Sequence, residues 1–169
     1  MPGRSASIPE SIPGRGRVSG VLDRCAEEGR LDFGVWLLEK LGPTDDVRIY
    51  EENVNTPEKN IIFAGRIEFK VGVVAMRIIA GRGIKAGCGI KAGEGIKAGE
   101  GIEAGWGIKA GEGIEAGWGI KAGEGIEAGE DYGIYAGLRI RISRWELSAV
   151  VTTKVKPNNL ISGYWKEDS

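Results

Sequence analysis

The sequence predicts a mainly β chain: a single-stranded β-helix (solenoid), three-sided with about 18 residues per turn, plus a small N-terminal helical cap. Three observations carry this. Isoleucine recurs every six residues, at Ile84, Ile90, Ile96, Ile102, Ile108, Ile114, Ile120 and Ile126. Alanine follows each isoleucine two places later, from Ala86 to Ala128. Gly-x-Gly separates every pair from the next, as in GIKAGE and GIEAGW. Residues two apart on an extended chain share a face, so each Ile and Ala point inward together while the Lys or Glu between them meets water. The glycines supply the corner, where their backbone freedom is expected to be used.

A helix does not accommodate this pattern. A six-residue period drifts around a 3.6-residue helix, and two glycines per hexad cost a helix about 1 kcal/mol each relative to alanine. Glycine numbers 29 of 169 residues, but it does not recur every third position and proline numbers only 6, which excludes collagen.

The number of hexads per turn follows from charge. Residues 97–108 repeat identically as 109–120, which favours a twelve-residue turn with Trp118 stacked on Trp106. That turn, however, stacks Lys85 on Lys97, Lys97 on Lys109, Lys109 on Lys121, Glu103 on Glu115 and Glu115 on Glu127. An eighteen-residue turn instead pairs Lys85 with Glu103, Glu103 with Lys121, Lys97 with Glu115 and Lys109 with Glu127, leaving only Lys91 on Lys109 repulsive. Strands lie about 4.8 Å apart, where each such contact in water is worth roughly 1 kcal/mol at most. Four attractive pairs and one repulsive pair select the three-sided coil.

The flanks are read in chain order. Residues 1–18 are expected to form an extended arm and 19–60 a helical cap with its connecting loop. The coil, with irregular first and last turns, is assigned to 61–155, and a C-terminal tail to 156–169. Ser19 is placed as the cap of a helix carrying Val21, Leu22, Cys25 and Ala26, ended by Gly29. Asp32 is placed as the cap of a second, with Phe33, Trp36, Leu37 and Leu41 on one face, stopped by Gly42-Pro43. These helices are expected to cap or flank the first turn, whose strand edges are otherwise open. VRIY at Val47–Tyr50 reads as a strand and Asn53–Asn60 as a polar loop. Beyond the repeat, Leu138, Ile140 and Ile142 alternate with Arg139, Arg141 and Ser143, as strands of irregular final turns or a short pair closing the coil.

The repeat resembles two known groups. The hexapeptide acyltransferases share the six-residue aliphatic period. They also place a small inward residue two positions before the aliphatic one, where this chain has Cys88, Glu94, Trp106 or Trp118, and they rely on a catalytic histidine that is absent here. GIKAGE and GIEAGW are more similar to the bactofilins, polymer-forming β-helix proteins with G-x-I-x-A-G-like repeats and a proline-containing arm. That resemblance implies head-to-tail assembly without nucleotide or cofactor. The helical pair within 19–42 departs from the bactofilin pattern.

Catalytic chemistry finds little purchase. The chain has no histidine and two cysteines, so neither a zinc constellation nor a Ser-His or Cys-His nucleophile can be assembled. The glycines lack the Lys-Ser/Thr ending of a phosphate loop. No catalytic, cofactor or metal residue is assigned, and the chain is expected not to be an enzyme. Charge is near balance, 23 basic against 24 acidic residues, so neither nucleic acid nor an anionic membrane is called for. Two cysteines and no long apolar run lead to the expectation of a cytoplasmic protein with no membrane partner.

Candidate partner-binding residues are Trp106 and Trp118, because large aromatics at exposed corners mark contacts. The corner glutamates Glu94, Glu100, Glu112 and Glu124 join them, and Arg139, Arg141 and Arg144 form a candidate basic stripe. Trp106 and Trp118 could alternatively tuck against Trp36, Trp145 or the cap. The leading functional expectation is a scaffold that self-associates through coil ends or faces as a homo-oligomer. The alternative is a small adaptor or inhibitor, of the kind phages encode, docking its coil on another protein and imitating a nucleic-acid backbone with an acidic row. Ice binding is set aside because Thr44, Thr56, Thr152 and Thr153 all lie outside the repeat. No small-molecule substrate is expected.

Overall fold

The computed structural model describes residues 15–169, so most of the expected arm lies outside the described residues. The rest of that arm is helical. Helix α1 spans Arg15–Glu27, placing Ser19 inside it rather than at its cap. Nothing between those residues breaks a helix, since the preceding prolines stop at Pro13. Gly29, at φ 68°, turns the chain, and α2 follows at Leu31–Leu41. Arg30 holds the N-cap position of α2 and Asp32 falls in its first turn.

The rest is a mainly β, parallel solenoid of about seven turns. Strands β1 (Val47–Tyr50) and β2 (Val54–Phe63) make the first turn, and β3 (Arg66–Phe69) and β4 (Val73–Ala80) the second. Seven three-residue strands follow: β5 (Ile84–Ala86), β6 (Ile90–Ala92), β7 (Ile96–Ala98), β8 (Ile102–Ala104), β9 (Ile108–Ala110), β10 (Ile114–Ala116) and β11 (Ile120–Ala122). Then come β12 (Ile126–Glu127), β13 (Ile134–Tyr135), β14 (Val150–Thr153), β15 (Leu160–Ser162) and β16 (Tyr164–Glu167).

They stack on three faces. The first face runs β1-β3-β5-β8-β11-β14-β16. The second holds the leading halves of β2 and β4, then β6, β9 and β12. The third holds their trailing halves, then β7, β10, β13 and β15. The register is eighteen residues: Ile84 opposes Ile102, and Ile102 opposes Ile120. The twelve-residue alternative is excluded.

Three boundaries are corrected. The expected polar loop at 53–60 is strand β2, in register with β4 except for a shift between Thr56 and Asn60 that brackets Pro57. Most of its polar side chains face outward on the first turn, Thr56 takes an inward position in register with Ala75, and Ile61 and Phe63 enter the core. The coil thus starts at Val47, and it continues through β15 and β16, which occupy the expected tail. The alternating run from Leu138 forms no strand. It becomes turns, a 3-10 segment (Ile142–Arg144) and the short helix α3 (Trp145–Ser148), with Ile142 94% exposed. That run has no Ala-Gly step to make a corner, so it cannot be wound into three-residue rungs. The chain leaves the coil at Gly137 (φ 77°) and returns at buried Ala149.

The core is the expected one. All eight repeat isoleucines are buried, at 0–1% exposure apart from Ile126 at 6%, and they join one cluster with Ile67, Phe69, Val73, Ile78, Ile134 and Val151. Burying each such side chain contributes about 1.5–3 kcal/mol. The glycines have a different role from the one expected. None in the repeat has positive φ. From Ala98 onward the glycine after each repeat alanine is needed for space instead: a Cβ on Gly99, Gly105, Gly111, Gly117, Gly123 or Gly129 would lie 2.0–2.1 Å from the carbonyl oxygen of the glycine one turn earlier, whereas one on Gly93 would meet nothing closer than 3.9 Å.

The helices flank the coil. Leu22 and Ala26 of α1, with Val35 and Leu38 of α2, pack on Ile62, Ala64 and Ile79 at the start of the third face. Ile62 and Ile79 are outward residues of their strands, and the helices turn them into a second, smaller core. Gly34 permits the close crossing, since a Cβ there would meet the Ile62 side chain at 3.1 Å. The expected apolar face of α2 is only partly covered: Phe33, Trp36 and Leu41 are 40–58% exposed, and Phe33 and Trp36 stack on each other. Among the described residues no helix is long and apolar enough to cross a membrane.

Candidate interaction surfaces

The eighteen-residue turn gives each corner its own column of residues. Backbone hydrogen bonds trace them: Val71, Cys88, Trp106 and Glu124 on one corner, Met76, Glu94 and Glu112 on the next, and Gly65, Arg82, Glu100, Trp118 and Gly137 on the third. The candidate residues are therefore distributed over three edges of the prism. Trp106 and Trp118 stand on different corners, and the glutamates do not form one acidic row.

Their charges are also largely answered. Arg77 Nη2 lies 2.9 Å from both Glu94 Oε2 and Glu112 Oε2. Arg82 Nη1 donates to Glu100 Oε1 at 2.8 Å, its other nitrogens reach Asp45 and the Thr44 carbonyl, and Arg66 approaches Glu100 at 3.7 Å. Hydrogen bonding to Glu100 leads the causes that hold the Arg82 guanidinium above its usual pKa. Glu124 has no ion pair among the described residues. A backbone-like line of bare carboxylates is absent from this arrangement.

The expected basic stripe is not a stripe. Arg139 folds back over the third corner, its side chain against Gly99 and Gly117, while Arg141 and Arg144 lie exposed on the excursion that leaves the coil. Trp145 approaches Gly137 at the base of that excursion, and neither repeat tryptophan is buried by it. Trp106 is 61% exposed and Trp118 48%.

The outward ladder follows the expected register. Lys85 and Glu103 approach to 3.8 Å, Lys97 and Glu115 to 3.8 Å, and Lys109 and Glu127 to 3.1 Å, all on exposed side chains. Lys91 faces Lys109 as the one like-charged pair of this ladder.

The two coil ends differ, which sequence reasoning did not foresee. At the first, Arg48 occupies the inward position of β1, in register with Ile67. Its guanidinium lies 4.4 Å from the Phe63 ring centroid and donates to both Asp23 oxygens at 2.6 and 2.9 Å. Burial works against that charge, but the hydrogen bonds and charge of Asp23 outweigh it and raise the Arg48 pKa. At the last turn, Trp165 takes the inward position opposite Val151, and β16 pairs with β14 along one edge only. Ile161 (66%) and Tyr164 (49%) are exposed there.

No family model matches the chain, and comparison with curated proteins and with solved structures returned no match. Among the described residues no group of three or more His, Cys, Asp or Glu side chains is placed to hold a metal ion.

Proposed function

We propose that this chain is a non-catalytic scaffold that self-associates through the free strand edge of its last turn. The observation that carries the reading is the asymmetry of the coil ends. A charged residue in an inward position blunts a strand edge against further pairing, which is the role of Arg48 with Asp23 at the first turn. The edge of β16 is left more open: its inward positions hold Trp165 and Glu167, the latter exposed and without an ion pair among the described residues, and Tyr164 and the neighbouring Ile161 of β15 are exposed. With one edge blunted and one open, pairing is tail to tail and closes as a twofold dimer, whereas two open ends would propagate a filament. The head-to-tail polymer implied by the bactofilin-like hexads is the less favoured form for this reason. A non-catalytic role is supported by a chain without histidine, and by corner glutamates that are either separated or shared by one arginine.

Glu167→Pro tests this. The Tyr164 and Asp168 N–H groups donate to the Ala149 and Thr153 carbonyls of the neighbouring turn, so by alternation the Glu167 N–H faces the open edge. The native chain is expected to sediment as a concentration-dependent dimer, and the variant as a monomer with an unchanged melting temperature. A native chain that stays monomeric at the highest attainable concentration contradicts the proposal, as does a dimer indifferent to this proline.

A further inference from the structure

Two irregularities of an otherwise regular coil fall in one place. The outward row of the second face reads Val74, Lys91, Lys109, Glu127, and it contains the only like-charged neighbours among the outward strand positions of the repeat that no opposite charge bridges. Glu127 answers Lys109 at 3.1 Å, while Lys91 has no ion-pair partner among the described residues. Beside this row stands the corner of Trp106, the most exposed aromatic ring of the coil.

The third element is an overhang. Where the sixth turn would lay a strand on β12, the chain from Val155 to Asn158 loops outward over the face. It is fixed in place: the Thr153 hydroxyl donates to the Val155 carbonyl, and Asn159 Nδ2 donates to the Gly129 carbonyl at 3.0 Å. Floor, corner and overhang enclose a trough of about 690 Å³, open to solvent along its length. Its lining carries three lysines (Lys91, Lys109 and Lys156) against one glutamate, Glu127, in a chain whose net charge is −1.

We infer that this trough is a docking site for an acidic, extended peptide segment of a partner protein. Lys91 and Lys109, on neighbouring turns about 4.8 Å apart, sit within reach of carboxylates at alternate positions of one strand. Trp106 and Val155 offer the apolar contact for the residue beside them. A like-charged pair that weakens the fold slightly is explained when an external carboxylate binds between the two ammonium groups. Nucleic acid is the poorer fit, because Glu127 on the floor and Glu124 beside Trp106 oppose phosphates and three lysines neutralise few of them. This site is distinct from the strand edge of the last turn.

The experiment uses the full chain and a fluorescein-labelled heptapeptide alternating glutamate with leucine and phenylalanine, read by fluorescence polarisation. Lys91→Glu makes an attractive neighbour for Lys109, so it is expected to raise the melting temperature by about 1 °C while weakening peptide binding at least tenfold. Trp106→Ala is expected to weaken binding about fivefold. Lys121→Glu, an equal charge change on the first face, leaves the affinity within twofold, and added salt weakens the native complex. The inference is overturned if the Lys91 and Lys121 variants bind alike, if the native chain does not bind the peptide, or if a labelled oligothymidine binds more tightly.

Discussion

Gly117→Ala is expected to destabilise the coil by about 4 kcal/mol or more, whereas Gly125→Ala is expected to be neutral or slightly stabilising. The same chemical change is made at two glycines of the repeat, and the structure separates them. A Cβ on Gly117 would lie 2.0 Å from the Gly99 carbonyl oxygen, 2.8 Å from its carbon and 3.0 Å from the Arg139 side chain. Backbone cannot yield there without opening the parallel ladder on both sides, where the Gly117 N–H donates to the Ala98 carbonyl at 3.0 Å. Gly125 has nothing within 4 Å of the added methyl, and its φ is not positive. Alanine then mainly restricts the unfolded chain, an effect of about 0.4–1 kcal/mol in favour of folding. Chemical denaturation of the two variants beside the native chain checks this, and equal losses would show that the corners depend on glycine for backbone angle.

Ile108→Ala carries the second large effect, about 4 kcal/mol, near the upper end of the range for such truncations. The cost depends on whether neighbours collapse into the space. Here Ile108 lies between Ile90 and Ile126 in a column whose spacing is set by backbone hydrogen bonds, so the side chains above and below cannot close the gap. Ile126→Ala should cost less, because that residue is already 6% exposed and the overhang replaces the next strand on its face. Both are read as shifts in denaturation midpoint at constant slope. Because each turn contacts only its neighbours, a fall in slope for Ile108→Ala would show the two halves unfolding separately.

Much of the coil was legible because its residues must satisfy two periods at once. Ile and Ala at alternate positions define the inner face, and the Lys and Glu between them select eighteen over twelve residues per turn through stacked charge. The first turn was less readable. Residues 55–60 of β2 are polar apart from Pro57, and a terminal rung exposes more of its surface, so the apolar alternation that marks a strand is lost while the backbone pairing remains. The run from Leu138 misled in the opposite sense: alternation was present, but without glycine there was no corner to hold it in the coil.

The candidate surface was misread for a different reason. Once eighteen residues make a turn, position 106 must stack on 88 and 124, position 118 on 100, and position 112 on 94. That arithmetic already separates the two tryptophans and divides the acidic set among three corners. Treating the corner residues as one row ignored it. The inward Arg48, its tie to Asp23 and the overhang at 155–158 depend on contacts between distant segments, which no local pattern announces.

The central claim is the three-sided turn, and the native Cys88 offers a direct test of it. With Cys25 replaced by alanine, Trp106→Cys places a second thiol one turn above Cys88 on the same corner, at a rung spacing of about 4.8 Å that lies within the Cα range of disulfides. Mild oxidation should join Cys88 and the new cysteine within one chain, seen as a cross-linked pair by mass spectrometry. The companion Glu100→Cys, in the same Cys25→Ala background, should keep both thiols free, since Glu100 lies on another corner. Cross-linking at 100 and not at 106 would mean a twelve-residue turn and would contradict the structure described.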